Sequence, residues 1–302
     1  MEFSSLFAVI IVSEASKLSE EFVDLGMLDK FWMSTPELGL AVFKADSPMG
    51  TTAWSEKIAS ELARAIGLPT VSYELGIDWQ GNRGVISPNF LKAGEIELAG
   101  ADLLSLVYGK DNYYYTLENS INALAANNIK LPISWAAPPQ ITTAAELFAG
   151  YLMLDAWICN IDRHDYNWGV RVDPSGSLEL LPNFDCGASL GVQMSGSEIV
   201  KLGLKADRCS SMMGAAICRR TERAAENFNF PDLARELLDI YPTAASYWIG
   251  KIGAISLTIV SDLFERIPAD WIDLASKEFA IDLLEFNRQQ LTSMIVNFKP
   301  KE

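Results

Sequence analysis

The first hundred residues show the alternation of apolar and polar positions that is typical of β-strands. Phe7–Val12 ends in four consecutive β-branched residues and is predicted as a buried strand. The turn Ser34–Glu37 and the polar turn at 78–82 each separate two further apolar segments, which predicts two strand pairs. The predicted strands are Phe7–Val12, Lys30–Met33, Leu40–Phe43, Val71–Leu75 and Gly84–Ser87.

One helix interrupts these strands. In Trp54–Ile66 the apolar residues Ile58, Leu62, Ala65 and Ile66 fall on one face of a helix, and Gly67 followed by Pro69 is a stop signal. The segment is therefore predicted as a helix with one apolar face.

After about residue 100 the pattern becomes helical. Thr116–Ala126 is predicted as one helix, and a second runs from Thr142 to about Cys159, with Thr142 or Thr143 as N-cap. Glu146 is placed to complete a capping box there.

A short β-hairpin follows, from Trp168–Val172 to Leu178–Leu181. From Glu198 the chain is predicted to be helical to its end, with the apolar segment Ile249–Leu263 as a core helix. We therefore predict an α+β, two-lobed fold with a β-rich small lobe at 1–100 and a helical large lobe at 101–302.

Composition narrows the class of protein. The 302 residues are 49% hydrophobic and 21% charged, as in a globular protein, and the net charge of −15 argues against a broad nucleic-acid-binding surface. Four cysteines without close pairing and the single histidine His164 disfavour a zinc site and favour reduced thiols in the cytoplasm. The N-terminal apolar segment lacks a basic start, which disfavours a signal peptide, and no apolar run reaches membrane length.

The candidate chemistry begins in Asn160–Asn167, where seven of eight residues are polar. Asp162 and Asn167 have the D-x-x-x-x-N spacing of kinase catalytic loops. A carboxylate accepts the proton of an acceptor hydroxyl, and an amide oxygen is a hard ligand for magnesium. Either residue taken alone is more typical of a turn, so the hypothesis depends on the pairing with a second motif.

That motif is Phe184–Gly187, an Asp-x-Gly element beyond the hairpin. Because a hairpin folds back on itself, Asp185 is expected beside Asp162. Asp185 is predicted as a metal ligand, and Gly187 as the residue that lets the chain turn after it.

A phosphate-transfer site also needs a cation on the nucleotide. Lys44 ends a predicted strand in the sequence Val-Phe-Lys, the position of the kinase strand lysine. Glu56 is predicted as its ion-pair partner, with Glu61 as a rival. The turn from Gly26 to Lys30 is a candidate cover for phosphates, and the chain contains no Walker-type phosphate loop.

Neighbouring residues are interpreted as structural. His164 is expected to brace the loop, and Arg163 to anchor it by pairing with a carboxylate. A basic cluster on a predicted helix is either a solvated face or a docking site for a substrate or partner: Arg208, Arg219, Arg220 and Arg223.

Together these residues resemble the HipA-like serine/threonine kinase family. The N-x-D-R-H-x-x-N and F-D-x-G-A-S-L-G elements are the most specific, and the resemblance runs through most of the chain. The matching segments are Gly26–Trp32, Val42–Lys44, Trp54–Pro69, Asn160–Asn167 and Asn183–Gly191.

The resemblance implies a kinase-like fold that uses ATP with magnesium and phosphorylates protein serine or threonine. It implies Asp162 as the base, Asn167 and Asp185 as metal ligands, and Lys44, held by Glu56, on the phosphates. The nucleotide cover would include Gly26 and Lys30, and the hinge that contacts adenine would fall near 86–90.

The resemblance also raises the hypothesis that the chain is the toxin of a toxin–antitoxin system and binds an antitoxin-type protein partner. Two departures from the family are visible. About twenty-five residues precede Gly26, which indicates a compact form without the family's N-terminal subdomain, and Val23 stands where the family often has a regulatory serine.

Three functions stay open at this point. The first is an active protein kinase without nucleic-acid or membrane partners. The second is a phosphotransferase that acts on a lipid head group or small alcohol. The third is a non-catalytic, nucleotide-binding interaction module of the pseudokinase type.

Overall fold

The computed structural model describes residues 5–18, 30–46, 52–110, 114–202, 214–220 and 225–298. The strands are β1 (Val9–Ile11), β2 (Lys30–Thr35), β3 (Gly39–Ala45), β4 (Glu74–Ile77), β5 (Arg83–Pro88), β6 (Ile96–Ala99), β7 (Gly169–Val172), β8 (Leu178–Leu180), β9 (Gly214–Arg220) and β10 (Ala225–Asn229). The helices are α1 (Ala53–Ala65), α2 (Gly100–Tyr108), α3 (Leu117–Ala126), α4 (Ala144–Ile158), α5 (Gly196–Leu202), α6 (Phe230–Ile240), α7 (Pro242–Gly253), α8 (Leu257–Glu265) and α9 (Leu274–Asn297).

The small lobe is a five-stranded sheet in the order β1-β4-β5-β3-β2. β1 is parallel to β4, and the other pairs are antiparallel. The first strand is shorter than the predicted Phe7–Val12. It is also not a buried strand, because it lies at the edge of the sheet, where Ile11 is 71% exposed. The hairpin of β2 and β3 and the pair of β4 and β5 confirm the other predicted strands within a few residues.

Helix α1 confirms the predicted helix and packs against this sheet, although Ala65 of the predicted apolar face is exposed. Ile58 and Leu62 are fully buried in the main core, which also contains Leu75 and Val85 of the neighbouring strands. The repeat of apolar residues every four positions thus places one face of the helix on the sheet.

Helix α4 is the centre of the large lobe. Apart from Glu146 all of its residues are buried, and α6, α7 and α9 pack around it. The Thr143 hydroxyl accepts the Glu146 amide, while the Glu146 carboxylate accepts the Thr143 amide, so the predicted capping box is confirmed with Thr143 as N-cap.

The predicted hairpin forms β7 and β8, but it belongs to a three-stranded sheet. β6, which was not predicted, pairs with β7 in antiparallel register from Ile96–Val172 to Ala99–Gly169. After β5 the chain leaves the small-lobe sheet. The pairing of β6 with β7 then attaches it to the large lobe, just before α2 begins.

The prediction of continuous helix after Glu198 is wrong. β9 and β10 form an antiparallel hairpin in which Ala215 and Ile217 are buried and Ala216 between them is half-buried, the alternation of a strand. This strand packs against α3, so a contact distant in sequence overrides the local helical preference. Arg219 and Arg220 therefore lie on a strand, whereas Arg208 and Arg223 lie outside the described residues.

The apolar segment at 249–263 is also not one helix. It divides into α7 and α8, which meet at 65°, because Ser256 caps a new helix by accepting the Ile259 amide. Within the described ranges no single helix is long and apolar enough to cross a membrane, although this bent pair passes that test by length and composition together.

The predicted α+β architecture, with a sheet lobe and a helical lobe, is thus confirmed. A division of the lobes at residue 100 stays a prediction.

Phe7 provides a test of how the N-terminal segment is held. Its ring is 5% exposed and lies 4.0 Å from the Arg266 guanidinium and 4.5 Å from the Lys57 ammonium. We expect Phe7→Ala to lower the free energy of unfolding by about 3 kcal/mol, because it removes a buried ring and leaves a cavity. Urea unfolding measures the loss.

Leu6→Ala is the matched control, because Leu6 is adjacent but 60% exposed. Its effect should stay within about 0.5 kcal/mol. Equal losses in both variants would contradict a specific anchoring role for Phe7.

Candidate functional site

A cavity of about 660 Å³ lies between the small-lobe sheet and the loops that follow α4 and β8. Five of the seven predicted site residues line it, namely Lys30, Lys44, Asp162, Asn167 and Asp185. Glu56 is not part of the lining but contacts Lys44 and the backbone amide of Cys186, and Gly26 lies outside the described residues.

Lys44 reaches the cavity from β3. Its ammonium contacts a carboxylate oxygen of Asp185 and lies 3.6 Å from Oε2 of Glu56. Burial alone would lower the pKa of Lys44, but the two carboxylates outweigh it and raise the pKa above its usual value. The lysine is therefore a fixed cation.

Of the two glutamates considered as its partner, the structure selects Glu56. Glu61 instead forms ion pairs of 2.9 Å with Lys57 and 2.9 Å with Arg64 of the same helix. Glu56 is 2% exposed, and burial raises its pKa although Lys44 acts in the opposite direction.

The Asp-x-Gly element meets Glu56 closely. The Cys186 amide donates to Oε1 of Glu56 at 2.7 Å, and a Cβ on Gly187 would lie only 2.8 Å from Oε2. The left-handed backbone falls on Asp185, with φ of 52°, and not on Gly187. The predicted role of Gly187 in the turn is thus wrong: a glycine fits there because the Glu56 side chain approaches too closely for a larger residue.

Asp162 and Asn167 occupy the opposite wall. The Asp162 side chain is 53% exposed at the rim, where an acceptor could reach it. The Asn167 amide nitrogen donates to the Asp162 carbonyl at 2.6 Å, which fixes the side chain by its nitrogen, so that its oxygen is the atom that could coordinate a metal ion.

Arg163 anchors this loop, as predicted. Its guanidinium is 1% exposed and forms two hydrogen bonds of 2.9 Å to the Asp155 carboxylate. It also donates to the carbonyls of Asn167 at 2.6 Å and Phe184 at 2.9 Å, and so joins the two loops that carry the site.

Sequence reasoning missed Asp155. It lies in the last turn of α4, eight residues before Arg163. An aspartate inside a helix that is otherwise buried and apolar was the available signal, because such a charge needs a buried partner.

His164 contacts the loop it was expected to brace: its Nδ1 accepts the Tyr166 amide at 3.1 Å. His164 also lines the cavity, as does Tyr166, whose side chain is 65% exposed. The hinge was expected near 86–90, and residues 87–91 line the cavity, as does Phe184.

The donor set suits magnesium. Asn167 and Asp185 supply an amide and a carboxylate oxygen, and Mg²⁺ is commonly held by one or two such groups together with phosphate oxygens and water. Asp185 would be the charged ligand of the two, because burial raises its pKa but Lys44 outweighs burial and lowers it, which keeps the carboxylate ionised.

Comparison with solved structures identifies the fold. The Helicobacter pylori proinflammatory kinase CtkA matches with a TM-score of 0.77 and 15% sequence identity, over 97% of this chain and 100% of its own. HipA of Shewanella oneidensis MR-1, in a complex with HipB and operator DNA, matches with a TM-score of 0.52 and 12% identity, over 93% of this chain and 65% of the HipA chain. The chain has a protein-kinase-like fold.

No protein-family model and no curated protein sequence matches the chain. Membership of the HipA-like family therefore stays a prediction.

The Arg163–Asp155 pair provides a second test. We expect Asp155→Ala to lower the free energy of unfolding by about 3–5 kcal/mol, because it leaves a buried guanidinium without its counter-ion. Arg235 and Asp232 form an exposed ion pair of 2.8 Å, so Arg235→Met is the control, with a loss of at most about 1 kcal/mol. Similar losses in urea unfolding would contradict the anchoring role of Arg163.

Cys186 provides a third test. Its thiol is 2% exposed and accepts hydrogen bonds from Arg163 at 3.2 Å and Asn183 at 3.3 Å. Burial raises the pKa of Cys186 to about 12, although Arg163 acts in the opposite direction. At about pH 8 the folded chain should therefore contain almost no Cys186 thiolate, the reactive form.

We expect iodoacetamide to leave Cys186 unmodified in the folded chain and to modify it in guanidinium chloride. Peptide mass spectrometry distinguishes this thiol from the other three. Modification of the folded chain at the rate of a free cysteine peptide would show that the segment around Asp185 is open.

Proposed function

We propose that this chain is an ATP- and magnesium-dependent kinase that transfers the γ-phosphoryl group to a serine or threonine of a protein. One observation carries the proposal: Lys44, Asp162, Asn167 and Asp185 line a single cavity although they come from distant parts of the chain. The kinase-like fold is independent support.

Each residue has a role in this proposal. Asp162 accepts the proton of the acceptor hydroxyl while the acceptor oxygen bonds to the γ-phosphorus and the bond to the departing ADP oxygen breaks. Lys44 neutralises charge on the phosphates, and Glu56 holds Lys44. Magnesium, held by Asn167 and Asp185, would neutralise the remaining phosphate charge. Lys30 is proposed as a second cation at the phosphates.

The position of Asp162 at the exposed rim favours a macromolecular acceptor, because the hydroxyl of a large substrate reaches the base without entering the cavity. The acceptor class is thus part of the proposal. A lipid head group or a small alcohol would be an alternative acceptor for the same residues.

The proposal is tested by transfer of labelled phosphate from ATP, with magnesium, to the chain itself and to a cell lysate. We expect Asp162→Asn to reduce transfer about 10²–10⁴-fold, the usual contribution of a general base. Its ATP-dependent rise in melting temperature should be retained, because the base does not hold the nucleotide. Asp185→Asn and Lys44→Met should lose transfer and weaken that rise.

Asp282→Asn is the matched control, because Asp282 is exposed on α9, away from the cavity. Phosphate transfer by Asp162→Asn at the wild-type rate would show that Asp162 is not the general base. A melting-temperature rise with ATP and magnesium, but no transfer by the wild-type chain, would favour the nucleotide-binding module instead.

An antitoxin-type protein partner belongs to the same proposal. Its support is that the HipA neighbour was solved with HipB and operator DNA as a toxin–antitoxin system. A gene for a small helix-turn-helix protein next to the gene of this chain is the observation that tests this part.

A further inference from the structure

The segment that precedes β4 runs beside the segment that carries Asp185. The Asn183 amide donates to the Pro69 carbonyl at 2.9 Å, and the Val71 amide donates to the Asn183 carbonyl at 2.9 Å, which forms a parallel bridge between Thr70 and Asn183. In a regular parallel ladder, the next amide to donate would be that of Asp185, and its acceptor would be the Val71 carbonyl.

The ladder diverges at that point. The Val71 carbonyl accepts the Ser60 hydroxyl at 2.8 Å, and the left-handed φ of 52° turns Asp185 out of the strand direction. The Asp185 amide donates instead to the Tyr73 hydroxyl oxygen at 3.1 Å. A side chain thus replaces the backbone acceptor.

Tyr73 is well suited to this role. It is 8% exposed, and its ring belongs to the main core together with Leu75 and Ile58. Burial raises the pKa of Tyr73 well above its usual value, and the carboxylates of Glu56 and Asp185 act in the same direction, so the hydroxyl stays neutral.

Two consecutive amides of the Asp-x-Gly element are therefore held by side chains of the small lobe. Tyr73 accepts the amide of Asp185, and Glu56 accepts the amide of Cys186 at 2.7 Å. A left-handed backbone is unfavourable for aspartate, and it persists only where surrounding contacts fix it. These two hydrogen bonds provide such contacts.

We propose that Tyr73 is a positioning residue: its hydroxyl fixes the left-handed backbone of Asp185 and thereby holds the carboxylate beside Lys44, in the cavity that Asn167 also lines. The importance of this position for magnesium rests on the proposed function, whereas the hydrogen bond to the Asp185 amide does not.

The direct test is amide hydrogen exchange at Asp185, resolved by fragmentation mass spectrometry without nucleotide. We expect Tyr73→Phe, which removes only the hydroxyl, to accelerate exchange of this amide about fivefold, the effect of losing one ordinary hydrogen bond. The exchange of α4 should stay unchanged.

The second readout is the magnesium requirement of phosphate transfer. We expect Tyr73→Phe to raise the half-saturating magnesium concentration about tenfold, as for other residues that orient a metal ligand. The KM for ATP at saturating magnesium should change less than about twofold, because uniform binding of the nucleotide is not affected.

Tyr151→Phe is the matched control. Tyr151 is 1% exposed, and its hydroxyl donates to the Leu181 carbonyl at 2.8 Å, outside the cavity lining. This variant also loses one buried hydroxyl, but it should change neither Asp185 exchange nor the magnesium requirement. A general loss of stability would affect both variants alike.

Wild-type exchange of the Asp185 amide at the unprotected rate would overturn the proposal, as would unchanged exchange in Tyr73→Phe. Accelerated exchange with an unchanged magnesium requirement would overturn the link to the metal. If the wild-type chain transfers no phosphate to any acceptor, the proposed function fails, and the exchange measurement still decides whether Tyr73 positions Asp185.

Discussion

The geometry of the site depends on one buried cation, the guanidinium of Arg163. A charge removed from water is stable only when it is neutralised and its donors are bonded, and Arg163 meets both conditions. Asp155 neutralises it, while Asn167, Asn183 and Phe184 supply further oxygen acceptors. Because these acceptors belong to the loop after α4 and to the segment after β8, a single side chain sets the distance between the two halves of the candidate site.

A second constraint joins the lobes. Lys44 from β3, Glu56 from α1 and Asp185 from the large lobe place one ammonium between two carboxylates. Two carboxylates carry more negative charge than one lysine neutralises. Burial of Glu56 and the nearby Asp185 both raise the pKa of Glu56, although Lys44 acts in the opposite direction. A cavity with this excess of negative charge favours a further cation, which is the electrostatic support for the magnesium ion in the proposed function.

Local patterns predicted the elements whose signals lie within a few residues, and they failed where distant contacts decide. The capping box at Thr143 and the hairpin of β2 and β3 follow from neighbouring residues, and both were predicted. β6 and the hairpin of β9 and β10 were not, because β6 is completed by β7 and β9 by its packing on α3. The contact of Tyr73 with Asp185 was equally invisible, since 112 residues separate them.

The amino-acid sequence alone shows the chemical groups and their local spacing: the five-residue interval from Asp162 to Asn167, the Asp-x-Gly element, and a lysine at the end of a predicted strand. Side-chain chemistry and short intervals are properties of the local chain, so they can be recognised without coordinates. The folded chain was needed to show that Glu56 and not Glu61 faces the lysine, and that Lys44 contacts Asp185, 141 residues away in the sequence. Such pairings follow from how the sheet and helices pack, and packing is a property of the whole chain.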